Sequence, residues 1–249
     1  HRNYQAGDDP RYIDWQAYAR TDRLFVKQFH QETNTSIHLL IDSSESMNFA
    51  SGQVSKALYG RFICASLAYL GLRQNDSVGL VKFSDRLIER IPASSRSSQL
   101  NRILRSLENI ESGENTDIGC SLRTFAESLN RRGMVIVVSD LLSADDGLRH
   151  GLAFLKHQKH DVIVLQVLDR QELEFDYSGA VEFRDCETGQ RLKVVSGAVR
   201  NAYLDRINSY IEDLRLYCNR NEIDHCTMDT RDALDNAIKS YLGRRRTRH

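Results

Sequence analysis

No apolar run in the 249 residues reaches the roughly 18 that a membrane-spanning helix needs, so the chain as given contains no span. Neither charge is in excess, because 34 Lys and Arg face 34 Asp and Glu, and no overall field draws in nucleic acid or anionic lipid. The cysteines, Cys64, Cys120, Cys186, Cys218 and Cys226, are odd in number and never spaced C-x-x-C, which argues against a disulfide framework or a zinc ribbon. A reducing, cytoplasmic compartment fits them, with buried inert thiols as the expected state. Also missing are H-E-x-x-H, G-x-S-x-G and G-x-x-x-x-G-K-S/T, and with them the zincin, hydrolase-elbow and P-loop signatures. There is no internal repeat. The chain opens at His1 without an initiator Met or a charged-then-apolar leader, so it reads as a fragment, and any membrane association would come through upstream residues or a partner.

What is present is ordinary for a globular domain: 41% hydrophobic and 27% charged residues. Residues 1–35 read as an N-terminal extension packed on a main domain at 36–243, with a basic tail, Arg244-Arg245-Arg246 and Arg248, at 244–249. The tail reads as a solvated terminus rather than an anion-binding arm. Residues 1–22 are polar and turn-rich around an aromatic knot of Tyr12, Trp15 and Tyr18, and irregular structure is expected there. The cluster of Asp8, Asp9, Arg11 and Asp14 reads as salt bridges and turns before it reads as a functional patch.

Ser36 to Asp42 is a short apolar segment ended by turn formers, as in a buried strand of a parallel sheet. A helix from about Gln53 to Arg73 follows, then a hairpin, Val78 to Phe83 with Leu87 to Ile91, on one edge. Helical spacing predicts a helix from about Ser98 to Leu107, and the polar loop Ser112 to Asp117 feeds a further helix through Leu129. Met134 to Val138 and Val162 to Leu168 are apolar strands separated by a helix from about Ala144 to His157. His157 and His160 read as surface residues. A hairpin insertion occupies 180–195, and a helix from about Val199 to Arg220, a strand near Cys226 and a helix from about Asp232 to Leu242 close the domain. The class is therefore α/β: a Rossmann-like, doubly wound, mostly parallel central sheet with one antiparallel edge hairpin, an N-terminal extension and a late β-hairpin insertion.

Open sheets of this kind bind ligands beyond the carboxyl ends of their strands. Asp42, Ser44 and Ser46 stand there as D-x-S-x-S, Asp140 closes the fourth strand, and Thr116 precedes a helix in a polar loop. Taken alone, D-x-S-x-S is also what a turn and helix cap look like. All five side chains carry hard oxygen donors, which suit Mg²⁺ or Mn²⁺ and not the His or Cys preference of Zn²⁺. Because hydroxyls are neutral, most of the metal's charge would remain uncancelled, leaving it able to attract an external carboxylate.

These residues resemble the metal-ion-dependent adhesion site (MIDAS) of von Willebrand factor A domains. That site uses D-x-S-x-S after the first strand, a Thr in a later loop and an Asp ending the fourth strand. The resemblance makes Asp42, Ser44, Ser46 and Thr116 ligands, with Asp140 often acting through water. Ser139-Asp140-Leu141 departs from the usual Thr-Asp-Gly, which implies a differently shaped loop, and Glu45 adds charge that either raises metal affinity or weakens the pull on an acidic ligand. A wider match, GDDPRYIDWQAYARTDRLFVKQFHQETN, LLIDSSESM, ELEF with FRDCETG, and VRNAYLDRINSYIEDLR with MDTRDAL, resembles the prokaryotic family named domain of unknown function fifty-eight. That family is similar to von Willebrand A domains and is commonly encoded beside MoxR-type AAA+ ATPases.

The expected function is thus a non-enzymatic module that holds Mg²⁺ and grips an acidic residue of a protein partner, such as a MoxR-type AAA+ ATPase or its client. Two alternatives stay open. One is a metal-dependent phosphoester hydrolase, for which the sequence offers no clear base or second metal. The other is a scaffold with a vestigial site.

Overall fold

The computed structural model describes residues 2–5, 13–26, 35–109, 118–142, 146–184 and 190–238. Two compact units make up the chain, residues 1–34 and 35–249. In the first, β1 (Arg2–Asn3) is followed by α1 (Trp15–Thr21) and β2 (Phe25–Val26), and the two strands pair antiparallel. The helix corrects the irregular structure expected over residues 1–22. Its cause is Asp14, whose Oδ1 accepts hydrogen bonds from the backbone N–H groups of Gln16 and Ala17, both at 3.0 Å, satisfying two donors that a helix start leaves unpaired. Trp15 and Tyr18 are exposed and meet edge to face. Tyr12, Asp8, Asp9 and Arg11 lie outside the described residues.

The second unit runs β3 (Ser36–Asp42), α2 (Lys56–Arg73), β4 (Ser77–Phe83), β5 (Leu87–Ser94), α3 (Gln99–Glu108), α4 (Ile118–Glu127), β6 (Met134–Ser139), α5 (Asp146–His157), β7 (Asp161–Leu168), α6 (Arg170–Glu174), β8 (Ala180–Arg184), β9 (Arg191–Val195), α7 (Ser196–Arg220) and β10 (Asp224–Asp229). Six strands form one sheet in the order β10-β7-β6-β3-β4-β5. All neighbours are parallel except β5, the antiparallel edge. Strands β8 and β9 form a separate antiparallel hairpin.

β3 sits in the middle and is buried on both faces. Ile37, Leu39 and Ile41 pack into a core with Ile63 and Leu67 of α2 and Ile103 of α3. Leu40, one residue out of phase, packs into the opposite core with Leu122 and Phe125 of α4, Leu152 of α5 and Leu214 of α7. Period-two alternation delivers one strand's side chains to two helical layers. A Cβ on Gly119 would lie 2.3 Å from the carbonyl carbon of Gly147, so only glycine lets α4 approach α5 this closely.

Most helices begin or end within a few residues of the positions read from the sequence. α2 starts at Lys56 because Ser55 caps it, its Oγ accepting from Leu58 N–H. Residues 234–238 are helical, and the rest of the last helix, like the tail at 244–249, lies outside the described residues. His157 is exposed, but His160 is 3% exposed and accepts a hydrogen bond from Gly133 N–H at its Nδ1. Its expected surface position is therefore corrected: it packs where the chain enters β7. Cys64 and Cys218 are buried, and burial pushes both thiols up to about 12, while Cys120 is exposed.

Candidate functional site

The chain runs outward from β3 to β4 and β5 on one side and then from β6 to β7 and β10 on the other, so the crevice between the ends of β3 and β6 is the topological switch point. All the parallel strands but β4 end in or beside an aspartate: Asp42 at the end of β3, Asp140 after β6, Asp169 after β7 and Asp229 at the end of β10. Backbone amides of the loops supply donors to them. Asp42 and Asp140 define the site.

Asp42 is 1% exposed. Its Oδ1 accepts from Ser44 N–H at 2.9 Å, closing a tight turn, and its Oδ2 accepts from the Ser139 hydroxyl at 2.5 Å. The turn delivers Ser44 and Ser46 to one side, their Oγ atoms 3.0 Å apart, with Ser44 buried and Ser46 half-buried at the mouth. A short 3-10 turn, Glu45–Asn48, then carries the chain away. Burial and, after it, the charge of nearby Asp140 push the Asp42 carboxyl up to about 6, against the pull of its hydrogen bonds from Ser139 and Ser44. Among the described residues, no cationic side chain pairs with it.

Asp140 is treated differently. Its Oδ2 accepts from Lys56 Nζ at 2.7 Å, and the same ammonium donates to Glu172 Oε1 at 2.6 Å. Lys56 is 1% exposed at the first turn of α2. Burial alone would push it down, but Asp140 and Glu172 outweigh burial and hold it above the ordinary lysine range. Glu172 is placed by the capping box of α6, its Oε2 accepting from Asp169 N–H at 2.8 Å. Burial raises the Glu172 carboxyl, the Asp140 charge adds to this, and Lys56 opposes both.

Leu141 takes φ 56°, the left-handed region that glycine occupies without strain. It is held there by Leu141 N–H donating to Ser139 Oγ, Leu142 N–H donating to Asp140 Oδ1 and the Tyr210 hydroxyl donating to Leu141 carbonyl oxygen. Its side chain is fully buried.

Of the five expected ligands, the structure brings Asp42, Ser44, Ser46 and Asp140 to one crevice, and Thr116 lies outside the described residues. Among the described residues, no group of three or more His, Cys, Asp and Glu side chains is arranged to hold a metal ion. Hydroxyl donors are of another kind. Among the described residues, three carboxylates, Asp42, Asp140 and Glu172, share one ammonium, Lys56, in and beside the crevice, and the donors nearest its mouth are hydroxyls. That donor set fits a hard divalent cation at Asp42, Ser44 and Ser46. Sequence reading missed Lys56, Glu172 and Ser139. A lysine at a helix start normally faces water, and only the D-x-x-E capping pattern of Asp169 to Glu172 hinted at an ordered carboxylate.

A family profile described as a protein of unknown function, DUF58, matches residues 1–210. The chain belongs to that family. Curated relatives of this DUF58 chain include uncharacterised proteins of Mycobacterium tuberculosis and Mycobacterium bovis, each 26% identical over 191 residues, 76% of this chain and 60% of theirs. The chain thus spans less than two thirds of the length of those relatives. Among solved structures, it is similar to the conserved hypothetical protein BatB from Bacteroides thetaiotaomicron, with TM-score 0.57 and 17% identity over 84% of this chain and 98% of that one. An aerotolerance-related membrane protein from Bacteroides fragilis gives TM-score 0.56 and 16% identity over 84% and 99%. The pilus adhesin SpaC from Lactobacillus rhamnosus GG gives 0.52 and 13% over 89% of this chain and 31% of the adhesin. The DUF58 chain shares the fold of these proteins, which in this chain is a mixed α/β domain with a mostly parallel central sheet and a separate antiparallel hairpin. No helix among the described residues is long and apolar enough to cross a membrane.

Proposed function

We propose that this chain is a non-catalytic protein-binding module whose crevice holds Mg²⁺ or Mn²⁺ at Asp42, Ser44, Ser46 and Thr116, with Asp140 behind them, and takes an acidic residue of a partner. On the family resemblance, the partner is a MoxR-type AAA+ ATPase or its client. The observation that carries the reading is Asp42: a buried carboxylate that has hydrogen-bond donors but, among the described residues, no counter-ion, beside two hydroxyls aimed at the same crevice. A cation bound there supplies a positive field to which an external carboxylate is drawn. The chain's own residues orient it: the Asp42–Ser44 turn fixes the hydroxyls, and Ser139 holds the carboxylate. The sharing of its fold with a pilus adhesin agrees with an interaction role.

Calorimetric titration of Mg²⁺ into the chain and into its Asp42→Ala variant tests this, together with partner capture with and without chelator. Binding and capture unchanged by Asp42→Ala would sink the reading. A second reading, a scaffold that binds without metal, is favoured by the Lys56–Asp140 pair, since a cation of the chain already occupies one of the expected ligands. Capture that survives chelator supports it. The phosphoester hydrolase alternative gains no base from Asp140 or Glu172, because Lys56 engages both carboxylates.

A further inference from the structure

Both carboxylate oxygens of Asp140 are taken up by the chain itself. Its Oδ2 accepts from Lys56 Nζ at 2.7 Å and its Oδ1 from Leu142 N–H at 3.2 Å. The backbone is pinned as well, because Asp140 carbonyl oxygen accepts from Nε2 of Gln166, a fully buried residue of β7, at 3.1 Å. The residue before it, Ser139, donates to Asp42 Oδ2. Two adjacent residues at the end of β6 thus have different partners, one bonded to Asp42 and the other engaged by Lys56.

Lys56 is itself held in place. It is the first residue of α2 behind the Ser55 cap, and its backbone N–H donates to Phe49 carbonyl oxygen at 3.2 Å, which ties the helix start to the segment that follows the D-x-S-x-S turn. Its ammonium also pairs with Glu172 at 2.6 Å, and Glu172 accepts in turn from Asp169 N–H at 2.8 Å. Stability does not account for such a lysine, since well-packed apolar side chains in place of a buried ion pair are often as stable or more so.

Its effect on the crevice does. A divalent cation at Asp42, Ser44 and Ser46 meets one carboxylate and neutral hydroxyls, so half of its charge stays uncancelled. A second carboxylate in direct contact cancels the rest, which tightens the hold on the cation and weakens its attraction for an acid from outside. We infer that Lys56 withholds Asp140 from the cation: it is a positioning residue that keeps the site on a single carboxylate, lowering metal affinity and preserving the pull on the partner's acidic residue. The presence of the cation rests on the proposed function; the setting of its affinity by Lys56 goes beyond it.

Two charge-matched double variants test this, because each removes the ammonium and one of its two carboxylates. Lys56→Met/Glu172→Gln leaves Asp140 charged and released, whereas Lys56→Met/Asp140→Asn leaves Glu172 alone. Calorimetric titration of Mg²⁺ is expected to show the first binding about tenfold tighter than the parent chain and the second with none of that gain. Unfolding midpoints in chelator show that each folds. In the parent chain, bound Mn²⁺ is expected to keep at least about two of its waters by oxygen-17 relaxation, because Asp140 takes no position on it; fewer overturns the inference whether or not the doubles fold. Acetate, a minimal external carboxylate, is expected to displace water from Mn²⁺ on the parent at about tenfold lower concentration than on the first double.

Equal gains in the two doubles reduce the effect to charge alone, and no gain in the first shows that Asp140 was not withheld; either overturns the inference, as does acetate acting equally on both proteins. A parent that binds no Mg²⁺ beside a first double that does supports the withholding and overturns the proposed function. No binding by the parent or either double overturns both.

Discussion

Asp42 and Asp140 stand at the ends of neighbouring central strands of one sheet, yet among the described residues only Asp140 has a cation against it. Asp140 has a buried ammonium at 2.7 Å. Asp42 has a hydroxyl and an amide. Hydrogen bonds stabilise a carboxylate, but they leave its charge in place, whereas Lys56 cancels charge and is itself held by a second carboxylate, Glu172. One half of the edge is thus closed by an ion pair of the chain's own and the other is left open. The difference explains why the open half, and not the closed one, is where an external cation belongs.

The comparison breaks most sharply at Lys56. Removing one partner from a buried ion pair strands the others, so Lys56→Met leaves Asp140 and Glu172 uncompensated and is expected to cost about 3–5 kcal/mol in denaturant unfolding. A loss within about 0.5 kcal/mol, the range of ordinary surface changes, would mean that the closed half does not depend on its lysine. Adding Glu172→Gln to Lys56→Met is expected to recover part of the loss, because one stranded charge is removed with it.

The open half responds to added metal. At a free Mg²⁺ concentration about 100 times its dissociation constant, ligand linkage predicts about 2.7 kcal/mol of added stability, read as a shift in unfolding midpoint. An unshifted midpoint at millimolar Mg²⁺ and Mn²⁺ contradicts the open site.

Asp42→Asn tests the same half without metal. In chelator it removes a buried charge beside Asp140 while Asn can still accept from Ser44 N–H and donate to Ser139 Oγ, so it is expected to stabilise the chain by about 2 kcal/mol at neutral pH. The sign follows from the raised carboxyl. Asp42 takes up its proton near 6 in the folded state and near 3.8 in the unfolded state. Its ionisation therefore destabilises the fold fully above 6, and this cost fades as the pH falls toward 3.8. The advantage of Asp42→Asn over the parent should shrink across that window, and the Mg²⁺ response should vanish in the variant. An advantage that grows with acidity contradicts the assignment.

Much of the fold was legible because the strands are apolar on both faces and end in turn residues. SIHLLID, MVIVV and VIVLQVL read as buried strands, and the paired segments Val78 to Phe83 and Leu87 to Ile91 read as the edge hairpin. Asp42, Ser44, Ser46 and Asp140 were legible as a set because a parallel sheet gathers strand ends. The closed half was not. Nothing local distinguishes Lys56 from a solvated lysine at a helix start, since its burial comes from Asp140, 84 positions away, and from Glu172, 116 positions away. α1 was hidden because Asp14 was counted among charges when its use was as a helix cap. The departure at Leu141 was visible, but not that buried leucine would hold a left-handed φ with help from Tyr210.

The smallest effect separates the halves most finely. Ser46 is half-buried at the mouth, and its hydroxyl interacts with Ser44 Oγ at 3.0 Å. In chelator, Ser46→Ala deletes one exposed-side hydroxyl and is expected to change stability by no more than about 0.5 kcal/mol. In Mg²⁺ the same deletion removes a proposed ligand and should weaken binding by about tenfold, equivalent to about 1.4 kcal/mol of linkage. Leu142 and Tyr210, which brace the closed half, give no such split, because their contacts are made with or without a cation. Calorimetric Mg²⁺ affinities for Ser46→Ala and Tyr210→Phe, set beside their unfolding midpoints in chelator, decide the matter. If Tyr210→Phe weakens Mg²⁺ binding as much as Ser46→Ala does, the division of the strand-end edge into an open and a closed half is wrong.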